Sequence, residues 1–330
     1  MSGSILQSAL RRALPIRYLS AFRGRSAAII RYHSVHSDVP GDLYGIPPTI
    51  SHHVELFQSQ IEMVSKNFNI IDMNTISSTL NSGAHFPRRS VALTFDDGYR
   101  NNLTLVAPIL ERFNIQGTFY VLSESIDTPI VPWFCQTYEY FRHSSRRHWY
   151  NPISCTNASL DTPEDRNTER QEVNGALAKM DHDSRTKALE EIRSGLGVKT
   201  MEHDGLLMNR EDLSELIARG HSVGSHTHSH PNLALVSKDE AKFQIIQSRN
   251  TLEQAFPNKI QHFCFPNPFH QPHWSKQVCN LVDSAGYASA VTCTHGVITR
   301  SSNKYTLPRI AVPYSVEQLK WDLNRAFARI

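Results

Sequence analysis

Short apolar segments recur along the chain and alternate with stretches of helical periodicity. Segments 27–32, 69–71, 91–95, 117–122, 221–225, 262–265 and 288–293 are short, apolar and rich in β-branched or aromatic residues, which is typical of buried strands. Apolar residues recur at helical spacing in 54–68, 103–113, 210–219 and 238–256. This alternation predicts an α/β fold with a parallel sheet, and a chain of 330 residues favours a closed (β/α) barrel over an open sheet.

The residues that follow several of these strands are of the types that carry chemistry. His33 follows the first predicted strand, Asp96 and Asp97 follow the third, and His226 and His295 follow two later ones. A (β/α) barrel builds its active site at the C-terminal ends of its strands. We therefore expect these side chains at one end of the fold.

One polar segment interrupts the alternation. Residues 142–200 are rich in charged residues, Ser, Asn and Thr, with a helical stretch near 168–196. We interpret the segment as an insertion over the barrel mouth without a core of its own, which either shapes substrate binding or is a solvated helical excursion. The predicted organisation is a basic N-terminal segment (1–26), a catalytic domain (27–315) that contains the insertion, and a C-terminal helix (316–330).

The composition excludes several classes of protein. Hydrophobic residues make up 40% and charged residues 20%, which argues against global disorder. A net charge of +3 gives no support for nucleic-acid binding, which needs a concentrated basic face. The five cysteines are scattered and contain no C-x-x-C, so neither a disulfide framework nor a thiolate zinc site is expected.

The N-terminus is basic. Residues 1–36 contain six arginines and no acidic residue, with leucines between them. The arginines interrupt the apolar core that a secretory signal requires, and no stretch reaches the ~18 apolar residues of a membrane span. Three interpretations stay open: peripheral contact with an anionic membrane surface, an organelle transit peptide, or a solvated helix. We expect a location in the cytoplasm or at the inner face of the membrane.

The first chemical motif is a pair of carboxylates. Asp96 and Asp97 directly follow a buried strand and precede Gly98, which permits a tight turn. Successive side chains at a strand end point to different sides, so one carboxylate can bind a cation while the other faces substrate or water. An Asp-Asp-Gly turn alone would be weak evidence, because many ordinary turns contain it.

The second motif is a pair of histidines four residues apart. In a helical turn His226 and His230 would lie on one face and converge on one metal ion, with His228 pointing elsewhere. Two imidazoles and one carboxylate leave coordination positions open, as in catalytic metal sites. The sequence therefore predicts a divalent-metal centre formed by Asp97, His226 and His230.

The two motifs together resemble those of polysaccharide deacetylases, the NodB-homology group of carbohydrate esterase family four. Residues 94–98 (TFDDG) are similar to the family's first motif, 226–230 (HTHSH) to its second, and 263–266 (FCFP) to its third. The resemblance covers about 30–312 and implies a distorted (β/α) barrel of seven or eight strands. Residues 30–33 (IRYH) resemble the family's last motif, which opens the domain in a circularly permuted branch.

The resemblance also implies roles for individual residues. Asp96 would be the catalytic base, Asp97, His226 and His230 would hold the metal, most simply Zn²⁺, and His33 would be the general acid. A capping or core role for His33 stays open, and His295 is a competing acid.

Four further residues are expected to contact the substrate: Pro266, Asn267, Trp133 and Arg309. Asn267 stands near the place of the third-motif arginine that orients the base in the family. Arg309 could take over that orienting role instead. Trp133 could offer a surface on which a sugar stacks, although a core position is the commoner role of tryptophan.

The implied function is metal-dependent removal of N-acetyl groups from a glycan or glycolipid sugar, in polysaccharide or cell-envelope biosynthesis. O-deacetylation and amide hydrolysis of a small molecule are alternatives on the same fold, because fold does not fix the substrate. A catalytically inactive carbohydrate-binding protein is a third.

Overall fold

The computed structural model describes residues 25–38, 45–199, 205–266 and 270–328. The strands are β1 (Ala27–Tyr32), β2 (Ser34–His36), β3 (Ser51–His53), β4 (Asn69–Ile70), β5 (Ser90–Phe95), β6 (Thr118–Val121), β7 (His148–Asn151), β8 (Thr156–Ser159), β9 (Ser222–Ser225), β10 (His262–Cys264), β11 (Ser289–Val291) and β12 (Ile310–Ala311). The α-helices are α1 (Val54–Asn67), α2 (Met73–Ser82), α3 (Ala107–Arg112), α4 (Trp133–His143), α5 (Pro163–Leu177), α6 (His182–Leu196), α7 (Arg210–Ala218), α8 (Lys238–Ala255), α9 (Lys276–Ser284) and α10 (Val316–Ala328). The predicted N-terminal segment lies almost wholly outside the described residues.

A curled parallel sheet forms the centre of the fold. Its strand order is β11-β10-β9-β6-β5-β1-β12, with β4 also paired to β5. Between β11 and β12, the described residues contain an isolated bridge from Val291 to Leu307 and no continuous ladder. This confirms the predicted distorted barrel. The barrel is partly open, because the two-residue β12 forms no ladder with β11.

The two faces of the sheet bury different sets of residues. In β1, Ala28, Ile30 and Tyr32 belong to the large core beneath the helices, whereas Ala27 and Ile29 belong to a smaller cluster inside the barrel. The same alternation holds in β5, where Ala92 faces inward and Leu93 and Phe95 face outward. The alternation therefore turns Asp96, one residue beyond β5, toward the barrel interior.

Most helices begin at a residue that caps them. The capping side chains accept a hydrogen bond from a backbone N–H of the first turn, and they satisfy a donor that the helix leaves free. They belong to His53, Asp72, Thr162, Asp181, Asn209, Ser237 and Ser275. His53, Asn209 and Ser237 stand directly before the predicted helices 54–68, 210–219 and 238–256, whose starts agree with α1, α7 and α8.

The insertion has a hydrophobic cluster of its own, contrary to the prediction. It comprises α4, the antiparallel hairpin β7–β8, α5 and α6, so it begins at Trp133 instead of near 142. Its cluster joins residues from all of these elements: Trp133, Tyr140, Phe141, Trp149, Leu160, Val173, Leu177, Ala178, Leu189, Ile192 and Leu196. Each element contributes only a few apolar residues, so the sequence of the segment looks polar. The core forms only when these elements pack together.

The remaining helices support the barrel from outside. The C-terminal helix α10 packs against α1, and the Phe327 ring stacks on Phe68 at 5.9 Å between ring centroids. The segment predicted as one helix from 103 to 113 begins instead with a π-helical turn (Asn102–Val106) that continues into α3. Among the described helices, none has the length and apolar character needed to cross a membrane.

Candidate metal centre

Asp97 occupies a strained turn at the end of β5. Its φ angle is 72°, in the left-handed region that non-glycine residues rarely adopt, and Gly98 follows with φ of 79°. A Cβ on Gly98 would lie 3.1 Å from the Val121 side chain, so the neighbouring strand leaves little room for a larger residue. Strain of this kind persists where the surrounding structure enforces it, often at functional sites. Here the turn holds a carboxylate that is only 3% exposed.

The histidine motif is an irregular loop and not the helical turn that was predicted. His226 directly follows β9, and the chain then reverses through left-handed conformations at Thr227 (φ 71°) and His230 (φ 61°). The His230 N–H donates to Thr227 Oγ1 at 3.0 Å, which closes the loop. The two imidazoles therefore converge because the loop folds back on itself and not through i, i+4 spacing on a helix. His228 points elsewhere, as expected, with Nδ1 2.9 Å from Ser123 Oγ.

Three buried ligand atoms meet at one point. His226 Nε2 and His230 Nε2 each lie 3.4 Å from Asp97 Oδ1. Ligands about 2.0 to 2.1 Å from a tetrahedral zinc ion are separated by about 3.3 Å, so the spacing matches a metal site. His226 Nδ1 lies 2.9 Å from the carbonyl oxygen of Cys264 and donates to it, which leaves Nε2 free to bind a cation. Asp97, His226 and His230 thus fit a divalent ion by distance, burial and donor chemistry.

The protonation states of the ligands also suit a metal. Burial would raise the pKa of Asp97, but the neighbouring His226 and His230 side chains outweigh it and hold the pKa well below its ordinary value. Burial lowers the pKa of His230. A carboxylate and neutral imidazoles are the forms that bind metal ions.

Asp96 is held by a buried arginine. Arg309 Nη1 and Nη2 donate to the two Asp96 carboxylate oxygens at 2.7 and 2.8 Å. Burial would raise the pKa of Asp96, but the Arg309 charge and these hydrogen bonds keep it well below its ordinary value. Arg309 Nε also donates to the Thr292 carbonyl at 2.8 Å. Asp96 is therefore a fixed, ionised carboxylate beside the candidate metal ligands.

The expectation that Arg309 contacts substrate needs correction. Its side chain is 1% exposed, and its donors point to Asp96, Thr292 and the Cys264 sulfur, the last at 3.1 Å. A guanidinium with its donors engaged inside the barrel is not available to a sugar. Its contacts match the alternative interpretation, in which Arg309 orients the base.

His33 lies at the edge of the same group. Its Nε2 is 4.0 Å from Asp96 Oδ2, because β1 pairs with β5 in a register that aligns Tyr32 with Phe95. Burial lowers the pKa of His33 to about 4, although the nearby carboxylates oppose this shift. His33 is therefore neutral near pH 7 and can act as an acid only after it has taken up a proton. The competing His295 is exposed on the loop that follows β11.

The other expected substrate contacts have different outcomes. Trp133 is 6% exposed and donates from Nε1 to the carbonyl oxygen of His230 at 3.2 Å, so it holds the histidine loop and offers no open stacking surface. Pro266 is buried two residues beyond β10. Asn267 lies outside the described residues.

Sequence reasoning missed two contributors to the site. The Cys264 carbonyl orients His226, and Arg185 on α6 donates to Ser229 within the histidine loop. Every residue has a backbone carbonyl, so the sequence cannot show which one accepts a hydrogen bond from His226. The only signal for Arg185 was an arginine among the apolar positions of a helix.

Comparisons with known proteins agree with this arrangement. A sequence profile of a family described as polysaccharide deacetylase matches residues 83–290. A chitooligosaccharide deacetylase from Azorhizobium caulinodans is 35% identical over 72 residues, which cover 20% of this chain and 30% of that protein. The profile match begins beyond β1 and His33, so the circularly permuted motif order stays a prediction.

Several solved structures share the fold. A Streptococcus pyogenes deacetylase, PplD, in complex with acetate, superposes with a TM-score of 0.59 and 14% identity over 91% of this chain and 99% of that one. IcaB from Ammonifex degensii superposes with a TM-score of 0.57 and 14% identity over 92% of this chain and 99% of that one. A de-N-acetylase from Aggregatibacter actinomycetemcomitans superposes with a TM-score of 0.55 and 13% identity over 90% of this chain and 99% of that one. At these identities the likeness concerns the fold.

Proposed function

Because the chain belongs to the polysaccharide deacetylase family, we propose that it is a metal-dependent hydrolase that removes N-acetyl groups from a glycan or glycolipid sugar. The observation that carries the proposal is the convergence of His226 and His230 on Asp97, each 3.4 Å from its Oδ1, next to an Asp96 that Arg309 fixes. A role in polysaccharide or cell-envelope biosynthesis is part of the proposal. The substrate of the Azorhizobium relative, which this chain matches over 30% of that protein's length, supports an N-acetylated sugar.

The ligand set favours zinc. Two imidazole nitrogens and one carboxylate oxygen, with room for further ligands, are the donors of many catalytic zinc sites. A divalent ion held there would lower the pKa of a water molecule and polarise the acyl carbonyl of the substrate.

Asp96 acts as the general base in this proposal. Its low pKa keeps it ionised at neutral pH, so it can accept the proton of the attacking water. The bidentate contact with Arg309 fixes the direction of the carboxylate and saves the reaction the cost of orienting it. A base of low pKa is intrinsically weak, so positioning has to compensate.

His33 acts as the acid after it receives a proton. It lies 4.0 Å from Asp96, close enough for a proton to pass from the carboxyl group to the imidazole after a small movement. The charges of Asp96 and Asp97 favour the imidazolium that then forms. From there the proton goes to the nitrogen of the leaving amine, and the products are acetate and a free amino sugar.

The ion-paired base distinguishes a hydrolase from an inactive carbohydrate-binding protein. A buried ion pair is expensive to desolvate, and a binding protein gains nothing from keeping Asp96 and Arg309 beside a metal site. This supports catalysis over simple binding. O-deacetylation uses the same groups, so acetate release from N-acetylglucosamine oligomers and from acetylated xylan has to be compared.

The test separates metal binding from proton transfer. Asp96→Asn should retain one metal ion per chain and lose about 10²- to 10⁴-fold in turnover, the usual contribution of a general base. Asp97→Ala should lose the metal as well. Asp127→Asn, which alters an exposed carboxylate paired with Arg210, is the matched control and should behave as wild type. Wild-type turnover in both Asp96→Asn and Asp97→Ala would refute the proposal.

A further inference from the structure

The two histidines of the metal centre are oriented by different means. His226 donates from Nδ1 to the Cys264 carbonyl of β10, so the barrel itself fixes its ring. His230 Nδ1 is buried and has no hydrogen-bond partner among the described residues. Metal-binding histidines usually have such a partner, and losing it typically costs 10- to 100-fold in metal affinity or activity. The orientation of His230 must therefore come from its packing and its backbone.

The first turn of α4 supplies much of that packing. Trp133 Nε1 donates to the carbonyl oxygen of His230 at 3.2 Å, and the Phe134 ring lies 4.6 Å from the His230 ring at an angle of 47°. Both aromatic residues open the insertion. The backbone and the ring of His230 thus contact the insertion directly.

A buried arginine of α6 holds the preceding residue. Arg185 Nη2 donates to Ser229 Oγ at 2.6 Å, and Nη1 donates to the Met180 carbonyl at 3.3 Å. Ser229 Oγ also accepts a hydrogen bond from Gln244 Nε2 at 2.7 Å, so the hydroxyl joins the insertion to α8 of the barrel. The loop residue next to His230 is therefore fixed from two sides.

Burial of Arg185 needs an explanation. The residue is 2% exposed, burial lowers its pKa, and no carboxylate of the described residues lies within 4.0 Å of its guanidinium. A buried cation without an ion pair destabilises a protein, so packing alone would favour an apolar residue. Exceptions of this kind are expected where they serve a functional site.

We propose that the insertion is a clamp that sets His230 for metal binding, with Arg185, Trp133 and Phe134 as positioning residues. The affinity of the centre for a divalent cation then depends on a segment that contributes no ligand. This inference rests on the proposed function in so far as that function requires the metal site.

The test compares two Arg→Met variants in the same helix. Arg185→Met removes the clamp, whereas Arg193→Met, two turns further along α6, removes an arginine whose hydrogen bonds go to Glu190 and Val198. Zn²⁺ affinity is measured on the full chain by competition with a chromophoric chelator. The visible absorption of the Co²⁺-substituted protein reports the ligand geometry, which a purely structural role would not change.

We expect Arg185→Met to weaken Zn²⁺ binding about tenfold or more and to change the Co²⁺ absorption bands, with Arg193→Met like wild type. Arg185→Lys, which keeps a donor to Ser229, should recover part of the affinity. Wild-type affinity and an unchanged spectrum in Arg185→Met would overturn the clamp.

Two further outcomes also decide the question. If Arg185→Met does not fold, Trp133→Phe takes its place, because it deletes the N–H donor to His230 and keeps an aromatic ring; unchanged Zn²⁺ affinity there would overturn the clamp. A wild-type protein that binds no divalent cation would overturn the proposed function and this inference together. If the wild type binds Zn²⁺ and Arg185→Met has the same Zn²⁺ affinity and Co²⁺ spectrum, only this inference is overturned.

Discussion

Arg309→Met should shift the pH dependence of the reaction upward. In the wild type, the arginine charge offsets the burial that would raise the pKa of Asp96. Without that charge the carboxyl group retains its proton to a higher pH. Since the base must be ionised to accept a proton, the acidic limb of the kcat/KM profile moves to higher pH. Activity at acidic pH falls by the fraction of Asp96 that is then protonated.

The contacts allow the size of the effect to be worked out. The two hydrogen bonds of 2.7 and 2.8 Å place the charge centres roughly 4 Å apart. At an effective dielectric constant of about 20, the attraction is about 4 kcal/mol. Dividing by 1.36 kcal/mol per pH unit gives an upward shift of about 3 pH units. A similar loss of stability, about 3 to 5 kcal/mol, is expected when one partner of a buried pair is removed.

The pKa shift of Asp96 also makes the free energy of unfolding depend on pH. The lowered pKa of Asp96 stabilises the wild type above the ordinary carboxyl pKa, and this contribution is lost as the pH falls through the folded-state value. In Arg309→Met the pKa of Asp96 returns toward its ordinary value, so the variant lacks this pH-dependent contribution to stability. Urea unfolding of both proteins at pH 3 and pH 7 measures the difference.

The assay is acetate release from N-acetylglucosamine oligomers between pH 3 and pH 10, where the variant should lose activity at the acidic end before the wild type does. Arg309→Lys keeps a charge but not the two-pronged geometry, and it should show a smaller shift. Arg249→Met, which breaks an arginine–carboxylate pair with Glu253 on α8, is the matched control and should keep the wild-type profile. An acidic limb in Arg309→Met that coincides with that of the wild type would refute the reasoning.

Three further outcomes are expected. Chelation should lower the melting temperature, and added Zn²⁺ should restore it, because an ion at 1,000 times its Kd stabilises the fold by about 4.1 kcal/mol; identical melting curves would contradict a metal site. Gly224→Ala should lose about 1 to 3 kcal/mol in urea unfolding, since its Cβ would lie 2.6 Å from the Tyr120 ring and 2.9 Å from the His262 carbonyl. His228→Ala should keep its metal content by elemental analysis, because His228 contacts Ser123 instead of the ion.

Local sequence patterns were sufficient for the secondary structure of the barrel. The predicted strand 27–32 agrees with β1, and the predicted helix 238–256 agrees with α8 to within one residue. Apolar residues recur every second residue in strands and every 3.6 residues in helices. These patterns span only a few residues, so the sequence alone shows them. The two-residue β12 carries no such pattern, and only its neighbour β1 makes it a strand.

The insertion shows where local patterns fail. Its helices α5 and α6 were predicted as one polar stretch without a core, yet Val173, Leu177 and Ile192 belong to a shared cluster. No single helix there carries a wide apolar face. The cluster forms only when several elements bring their few apolar side chains together.

The sequence by itself determined the chemistry that is available, namely a carboxylate pair after one strand and a histidine pair after another, both at the C-terminal ends of parallel strands. Only the tertiary structure decided how these groups are held. Arg309 lies 213 residues from Asp96 along the chain, and Arg185 lies 44 residues from Ser229. Residue types record which donors exist, whereas hydrogen-bond partners, burial and the shifts in pKa arise from the surroundings that distant segments create.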